Sequence, residues 1–166
     1  MRDLSHGAEW LSINTATVQA QWSLRECIEG CARLGIRGIS PWRDKLAQCG
    51  VAEAAKLIAD HSLTVTGLCR GGMFTNAGRE GFEAALDDNR RAVDEAAAIG
   101  ARCLVLVVGG LMPESRDLAA ARAVVEDGIA ALLPHARAAG VPLAIEPLHP
   151  MYAADRACVE RYNTCC

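Results

Sequence analysis

A chain of 166 residues, 51% of them hydrophobic and 22% charged, can bury one sizeable core and is too apolar to be disordered. The net charge of −3 comes from interspersed acidic and basic residues. No basic stripe is present to neutralise phosphates, which argues against a nucleic-acid partner.

In chain order, Leu11-Ser12-Ile13-Asn14 reads as a short strand. Ser23-Leu24-Arg25-Glu26 fits a capping box, in which hydroxyl and carboxylate each satisfy a free backbone N–H. Leu24, Cys27, Ile28, Cys31 and Leu34 then recur at helical spacing, with Gly35 placed to end the helix. Ile36 to Ser40 is the next strand, closed by Pro41, and Val51, Ala54 and Ile58 mark a second helix. Leu63 to Cys69, rich in Thr and Val, is a third strand. Phe82, Leu86, Val93 and Ala97 line a third helix ending at Gly100. Cys103 to Val108 is apolar at every position, as in a parallel strand buried on both faces. Leu118, Ala121, Val125, Ile129 and Leu132 define a fourth helix, which Pro134 is expected to kink before Gly140. Val141 to Ile145 is the fifth strand and runs into Glu146-Pro147.

The N-terminal Met1-Arg2-Asp3-Leu4-Ser5-His6 has no apolar leader, and the longest apolar run, Cys103 to Val108, is too short to span a bilayer. The eight cysteines are scattered without paired CxxC spacing. Buried or free thiols in a cytoplasmic protein, with no membrane partner, are the expectation.

Strands alternating with helices define an α/β fold with a parallel sheet. Two architectures compete. A doubly wound five-strand parallel sheet closes comfortably at this length, whereas a full (β/α) barrel of TIM type needs roughly 250 residues. Against the doubly wound sheet, no helix pattern follows the fifth strand, and the first βα turn, Thr15-Ala16-Thr17-Val18, carries no Gly-rich phosphate loop.

Functional groups in parallel α/β folds gather at the carboxyl ends of strands. Those ends carry Asn14, Ser40-Pro41-Trp42-Arg43, Cys69-Arg70-Gly71-Gly72, Gly109-Gly110 and Glu146-Pro147-Leu148-His149-Pro150. Glu146 directly follows an apolar strand, where a carboxylate has to be hydrated, paired or metal-bound. It reads either as a functional carboxylate or as one hydrogen-bonded to neighbouring backbone N–H groups. The flanking prolines stiffen the loop that carries Glu146 and His149. Arg70 offers a fork of donors to an anionic substrate, or is a solvated Arg beside a glycine turn. Gly109-Gly110 reads as a turn first and a substrate-facing loop second. Trp42 could wall a sugar pocket or simply pack. The set Glu83, Asp87, Arg90, Arg91 and Asp94 reads as a solvated helix face with i,i+4 pairs.

The string Val141-Pro142-Leu143-Ala144-Ile145-Glu146-Pro147-Leu148-His149-Pro150 resembles the fifth-strand motif of the sugar phosphate isomerase/epimerase family. That family has the xylose-isomerase-like barrel and includes relatives of AP endonuclease. Gly38-Ile39-Ser40-Pro41-Trp42-Arg43, Gly67-Leu68-Cys69-Arg70-Gly71-Gly72 and Asp88-Asn89-Arg90-Arg91-Ala92-Val93-Asp94-Glu95-Ala96 support the likeness. It runs from about Leu11 to about Val159 of a single domain, residues 1–166, leaving 160–166 as an atypical tail. The resemblance implies an incomplete TIM-type barrel of about five of the eight βα units. It also implies metal-assisted proton transfer next to the carbonyl of a small sugar or sugar phosphate, through an enediolate.

By resemblance, Glu146 is both metal ligand and catalytic acid/base, and His149, Arg70 and Trp42 contact substrate. The divalent metal would be Mn, Mg, Co or Zn. In relatives, Asp, His and Glu after strands six to eight complete the metal site, and those positions fall beyond Cys166. The expectation is therefore a C-terminally truncated chain that is inactive or weakly active alone. Its exposed first and fifth strands would invite homo-oligomer formation. The other readings are a non-catalytic half-barrel and an AP-endonuclease-like hydrolase. The latter's His ligands after strands three and four are replaced here by Arg70-Gly71-Gly72 and Gly109-Gly110.

Overall fold

The computed structural model describes residues 7–75, 78–112 and 115–160, the side chains of 78–80 excepted. The tail from 161 onward, Cys165-Cys166 included, lies outside the described residues. The chain divides into two compact units. One comprises the described residues of Met1–Cys69 with Glu95–Cys103, the other those of Arg70–Asp94 with Leu104–Cys166.

The first unit is built on a parallel sheet of β1 (Ser12–Asn14), β2 (Gly38–Ser40) and β3 (Thr64–Val65), in that order. Ser12 pairs with Gly38, which pairs in turn with Thr64. One face carries Ile39 and Val65, both fully buried. The alternation of strand side chains puts Ser12, Ser40, Thr64 and Thr66 on the other face, where the Ser12 and Thr66 hydroxyls are 2.7 Å apart.

Helix α1 (Leu24–Arg33) starts where the capping box places it. The Ser23 Oγ accepts the Glu26 N–H at 3.3 Å, and the Glu26 carboxylate accepts the Ser23 N–H at 2.7 Å. Leu24, Cys27, Ile28 and Cys31 are buried, but Leu34 has passed the helix end and is 59% exposed. Between β2 and the expected second helix, α3 (Val51–Asp60), the structure adds α2 (Arg43–Cys49). Leu46 is the one residue α2 buries completely, so no apolar period announces it.

A second sheet holds β4 (Leu68–Gly72), of which Arg70–Gly72 belong to the second unit, with β5 (Leu104–Val107) and β6 (Leu143–Ile145), again parallel and in that order. The single strand expected over Leu63–Cys69 is thus two. Thr66 donates its N–H to the Ile39 carbonyl of β2, whereas Leu68 donates to Cys103, just before β5. Cys69 still donates to Pro41 at 2.9 Å, just past β2, and Arg102, just before β5, donates to Val65 at 3.0 Å, so bonds to the two neighbours overlap across Gly67. Among the described residues there are two three-strand sheets, and neither a closed barrel nor one continuous five-strand sheet.

Two helices of 21 residues each follow β4 and β5 in the chain. α5 (Leu118–Ala138) starts on Asp117, whose carboxylate accepts the Ala120 N–H at 3.0 Å, and stays helical through Pro134. In α4 (Gly78–Ala98) the buried stripe is Ala85, Leu86, Asn89, Ala92, Val93, Ala96 and Ile99; Ala97, expected in it, is exposed. The expected i,i+4 charge pairs are i,i+3 pairs instead, Asp87 with Arg90 and Asp88 with Arg91, because each arginine folds back toward the N-terminal carboxylate one turn away. Asp94 pairs outside the helix, with His135 Nε2 at 2.8 Å.

Asn89 is the polar member of that stripe and is 1% exposed. Its Oδ1 accepts the Gly72 N–H at 2.6 Å, and its Nδ2 donates to the carbonyls of Gly72 and Ala85, both at 2.8 Å. Gly72 has φ +106, and a Cβ there would run into the Val107 carbonyl. A Cβ at Gly71 would meet Asn89 Oδ1 at 2.5 Å and Leu106 Cδ2 at 2.9 Å. The sequence at the end of β4 is therefore dictated by how closely α4 and β5 approach its backbone.

Deleting the Asn89 amide leaves two buried backbone groups unpaired, so Asn89→Leu should lose about 3 kcal/mol in urea unfolding, at the upper end for such groups. Removing the capping hydroxyl in Ser23→Ala should cost about 1 kcal/mol. The Glu26 pKa is lowered, first by the backbone and then by the side-chain hydrogen bond of Ser23. A depressed carboxylate stabilises the fold above its unfolded pKa and loses that contribution as pH falls through its folded pKa. The stability gap between wild type and Ser23→Ala should therefore narrow as unfolding curves are taken from neutral pH down through the acid range.

Candidate functional site

Glu146 follows the last residue of β6, and its N–H continues the ladder by donating to the Leu106 carbonyl at 3.0 Å. Leu104 and Leu106, in register with Leu143 and Ile145, lie on the face toward Asn89 and Gly71. Alternation then places Ala144 and Glu146 on the opposite face, with Val105 and Val107. The Glu146 side chain is exposed and, among the described residues, has no hydrogen-bond or ion-pair partner. Of the two readings the sequence left open, the carboxylate tied to its neighbours' N–H groups is the one this geometry does not support.

The loop beyond is held at two points. Leu148 N–H donates to the Val159 carbonyl at 3.2 Å. His149 caps the one-turn helix Pro150–Tyr152, its Nδ1 accepting the Met151 N–H at 3.2 Å. An accepting Nδ1 puts the proton of a neutral ring on Nε2, so the exposed His149 presents a donor to solvent. Arg70 is half-buried on β4, next to the glycine pair that Asn89 holds. Arg70, Glu146 and His149 all belong to the second unit.

Trp42 belongs to the first unit. Its N–H donates to the buried Thr15 hydroxyl at 2.9 Å, and it forms a parallel bridge with Cys69. Its indole is half-buried, with Nε1 enclosed and, among the described residues, without a hydrogen-bond partner. The neighbouring Arg43 grips Glu95 with both arms, Nε to Oε2 at 2.6 Å and a terminal nitrogen to Oε1 at 3.2 Å.

Gly109-Gly110 is a packed turn. Gly109 has φ +106 and sits where a Cβ would overlap the Thr75 hydroxyl, and a Cβ at Gly110 would meet the Ala154 backbone at 2.5 Å. The segment after β6 returns to it: Gly109 donates to Arg156 and accepts from Cys158, burying Ala157, Cys158 and Val159. Cys27, Cys31, Cys49, Cys69, Cys103 and Cys158 are free thiols. Burial pushes the thiols of Cys27, Cys31, Cys49, Cys103 and Cys158 above their usual range, which keeps them unreactive at neutral pH.

A hard divalent cation needs several oxygen or nitrogen ligands. Among the described residues no group of three or more His, Cys, Asp or Glu is placed to hold one. Glu146 supplies a single carboxylate, so the described residues do not by themselves fit a metal centre.

Two residues that position this region escaped the sequence reading. Asn89 interrupts an apolar stripe, and a polar residue there was the available signal. Glu95 sits within a quoted family string, but only the fold reveals that Arg43 is its partner.

Residues 28–161 match the family described as xylose isomerase-like TIM barrel, and the match runs through both units. The chain belongs to that family, which sets the doubly wound alternative aside. Among solved structures, the protein SMc04130 from Sinorhizobium meliloti 1021 is 59% identical with a TM-score of 0.89, over 92% of this chain and 55% of that one. The 3-keto-D-glucoside 4-epimerase YcjR from E. coli, in its apo form, is 22% identical with a TM-score of 0.67, over 79% of this chain and 54% of that one. The IOLI protein with a bound zinc atom is 17% identical with a TM-score of 0.76, over 93% of this chain and 55% of that one. The chain thus spans about half the length of these relatives. A comparison with curated protein sequences gives no match. No described helix is long and apolar enough to cross a membrane.

The Arg43–Glu95 pair, with side chains 19% and 26% exposed, is better shielded than Lys56–Asp60 at 69% and 52%. Arg43→Met strands a half-buried carboxylate and should cost about 2 kcal/mol, whereas Lys56→Met, at a solvent-screened pair, should leave stability nearly unchanged. Chemical denaturation of the two variants side by side checks the difference.

Proposed function

We propose that this chain carries part of the active site of a sugar epimerase or isomerase, acting on a small sugar or sugar phosphate. The supporting observation is Glu146: an exposed carboxylate at the carboxyl end of a strand, free of partners among the described residues, in a chain of the xylose isomerase-like family. Two of the structural relatives add weight through what they are, a sugar epimerase and a zinc-bound protein.

The chemistry asked of Glu146 is proton movement. A C–H beside a carbonyl is weakly acidic, and its removal leaves an enediolate. Returning the proton to the other face of the same carbon gives an epimer, and to the neighbouring carbon an isomer. A positioned carboxylate contributes about 10²–10⁴-fold to such a step. His149 Nε2–H can donate to a substrate oxygen, and Arg70 can donate to a hydroxyl or an anionic group. Trp42 would shape the sugar's apolar surroundings. A metal of the Mn, Mg, Co or Zn group remains part of the proposal only if further ligands join Glu146.

One observation favours a second reading, a non-catalytic barrel fragment that associates through its strand edges. Among the described residues no ligand cluster is assembled, and β1 and β6 each have a single strand neighbour.

Exchange of substrate protons with solvent separates the two. In D₂O with Mn²⁺ and a ketohexose, the chain should wash deuterium into the carbon next to the carbonyl, as followed by NMR. Glu146→Gln should slow this at least about 100-fold, the lower range for loss of a general base. Exchange at the no-protein rate, or equal rates in both proteins, would favour the non-catalytic fragment.

A further inference from the structure

A second concave surface lies in the first unit, at the amino ends of β1, β2 and β3. It encloses about 210 Å³ and is lined by Ser12, Thr64 and Thr66 with Arg37 and Arg102, and also by Glu9. Arg37 immediately precedes β2, and its carbonyl accepts the Thr64 N–H at 2.8 Å. Arg102 donates its N–H to Val65 of β3 at 3.0 Å. The sheet thus fixes the backbone of both arginines on neighbouring paths, and both residues line the same opening. Both side chains are exposed, and among the described residues neither has an ion-pair partner, Glu9 included.

The hydroxyl floor depends on Gly38. A Cβ at Gly38 would meet Ser12 Cβ at 2.7 Å, so glycine leaves the gap across which Ser12 and Thr66 reach each other. Hydroxyls and two arginines lining one opening offer donors that match the oxygens of a small tetrahedral or planar oxyanion.

We propose that this opening is a binding site for a small oxyanion, a phosphate or a carboxylate-bearing metabolite, separate from Glu146 and independent of the reaction assigned to it. The two cations supply the attraction, and the three hydroxyls select oxygen-rich anions over chloride.

The test uses the full chain and follows its thermal unfolding with inorganic phosphate, against sodium chloride at matched ionic strength. A ligand that binds the folded state alone raises the midpoint in proportion to the logarithm of its concentration, whereas screening acts equally in both salts. The expected result is a phosphate-dependent rise that chloride does not reproduce. Arg37→Gln/Arg102→Gln should reduce the apparent affinity at least tenfold while its circular dichroism stays native, and Glu146→Gln should leave it unchanged. Succinate in place of phosphate then distinguishes carboxylate from phosphate as the preferred anion. Equal shifts in phosphate and chloride, or an unaltered phosphate response in the natively folded double variant, would overturn the proposal.

Discussion

The end of β4 depends on one side-chain amide. Beyond its last regular pair, a strand's N–H and C=O have to find partners or stay hydrated. Asn89 reaches out of α4 and offers Gly72 an acceptor and a donor together, as a neighbouring strand would. The arrangement requires close approach, which is why glycine occupies positions 71 and 72, where any Cβ would strike Asn89, Leu106 or Val107. It also requires burial, since water would compete for the same groups. Helix, strand end and the backbone around Arg70 are thereby one unit, although Asn89 itself touches no reacting group.

Much of this was readable from residue order. The capping box at Ser23 and Glu26, the glycine stops and the all-apolar β5 each rest on a local rule, and each appears in the structure where the rule puts it. The family likeness came from the segment around Glu146, and the match over residues 28–161 bears it out. What escaped reading was non-local. The break between β3 and β4, across which bonds to β2 and to the approach of β5 overlap, is something no residue in Leu63–Gly72 encodes alone. Helix α2 buries too little to leave a period, and Arg43–Glu95 joins positions far apart in sequence. Of the candidate site residues, the position of Glu146 followed from strand-end logic, whereas its lack of partners required the fold.

The two units differ in the chemistry they expose. At the carboxyl end of β6, in the second unit, stands an acid without a counter-charge among the described residues, on a sheet face it shares with Val105, Val107 and Ala144. At the amino ends of β1 to β3 stand cations and hydroxyls. The polar face of that first sheet carries hydroxyls in place of branched aliphatic side chains, and small residues such as Gly38 are what make room for it.

The parallel pairing carries a consequence for how the chain acquires its shape. Ser12 meets Gly38, and Leu104 meets Leu143, only across an entire intervening helical unit. No ladder here can nucleate as a hairpin does; each must wait until its connecting helix has condensed, and the entropy of closing that loop is lost before any strand bond forms.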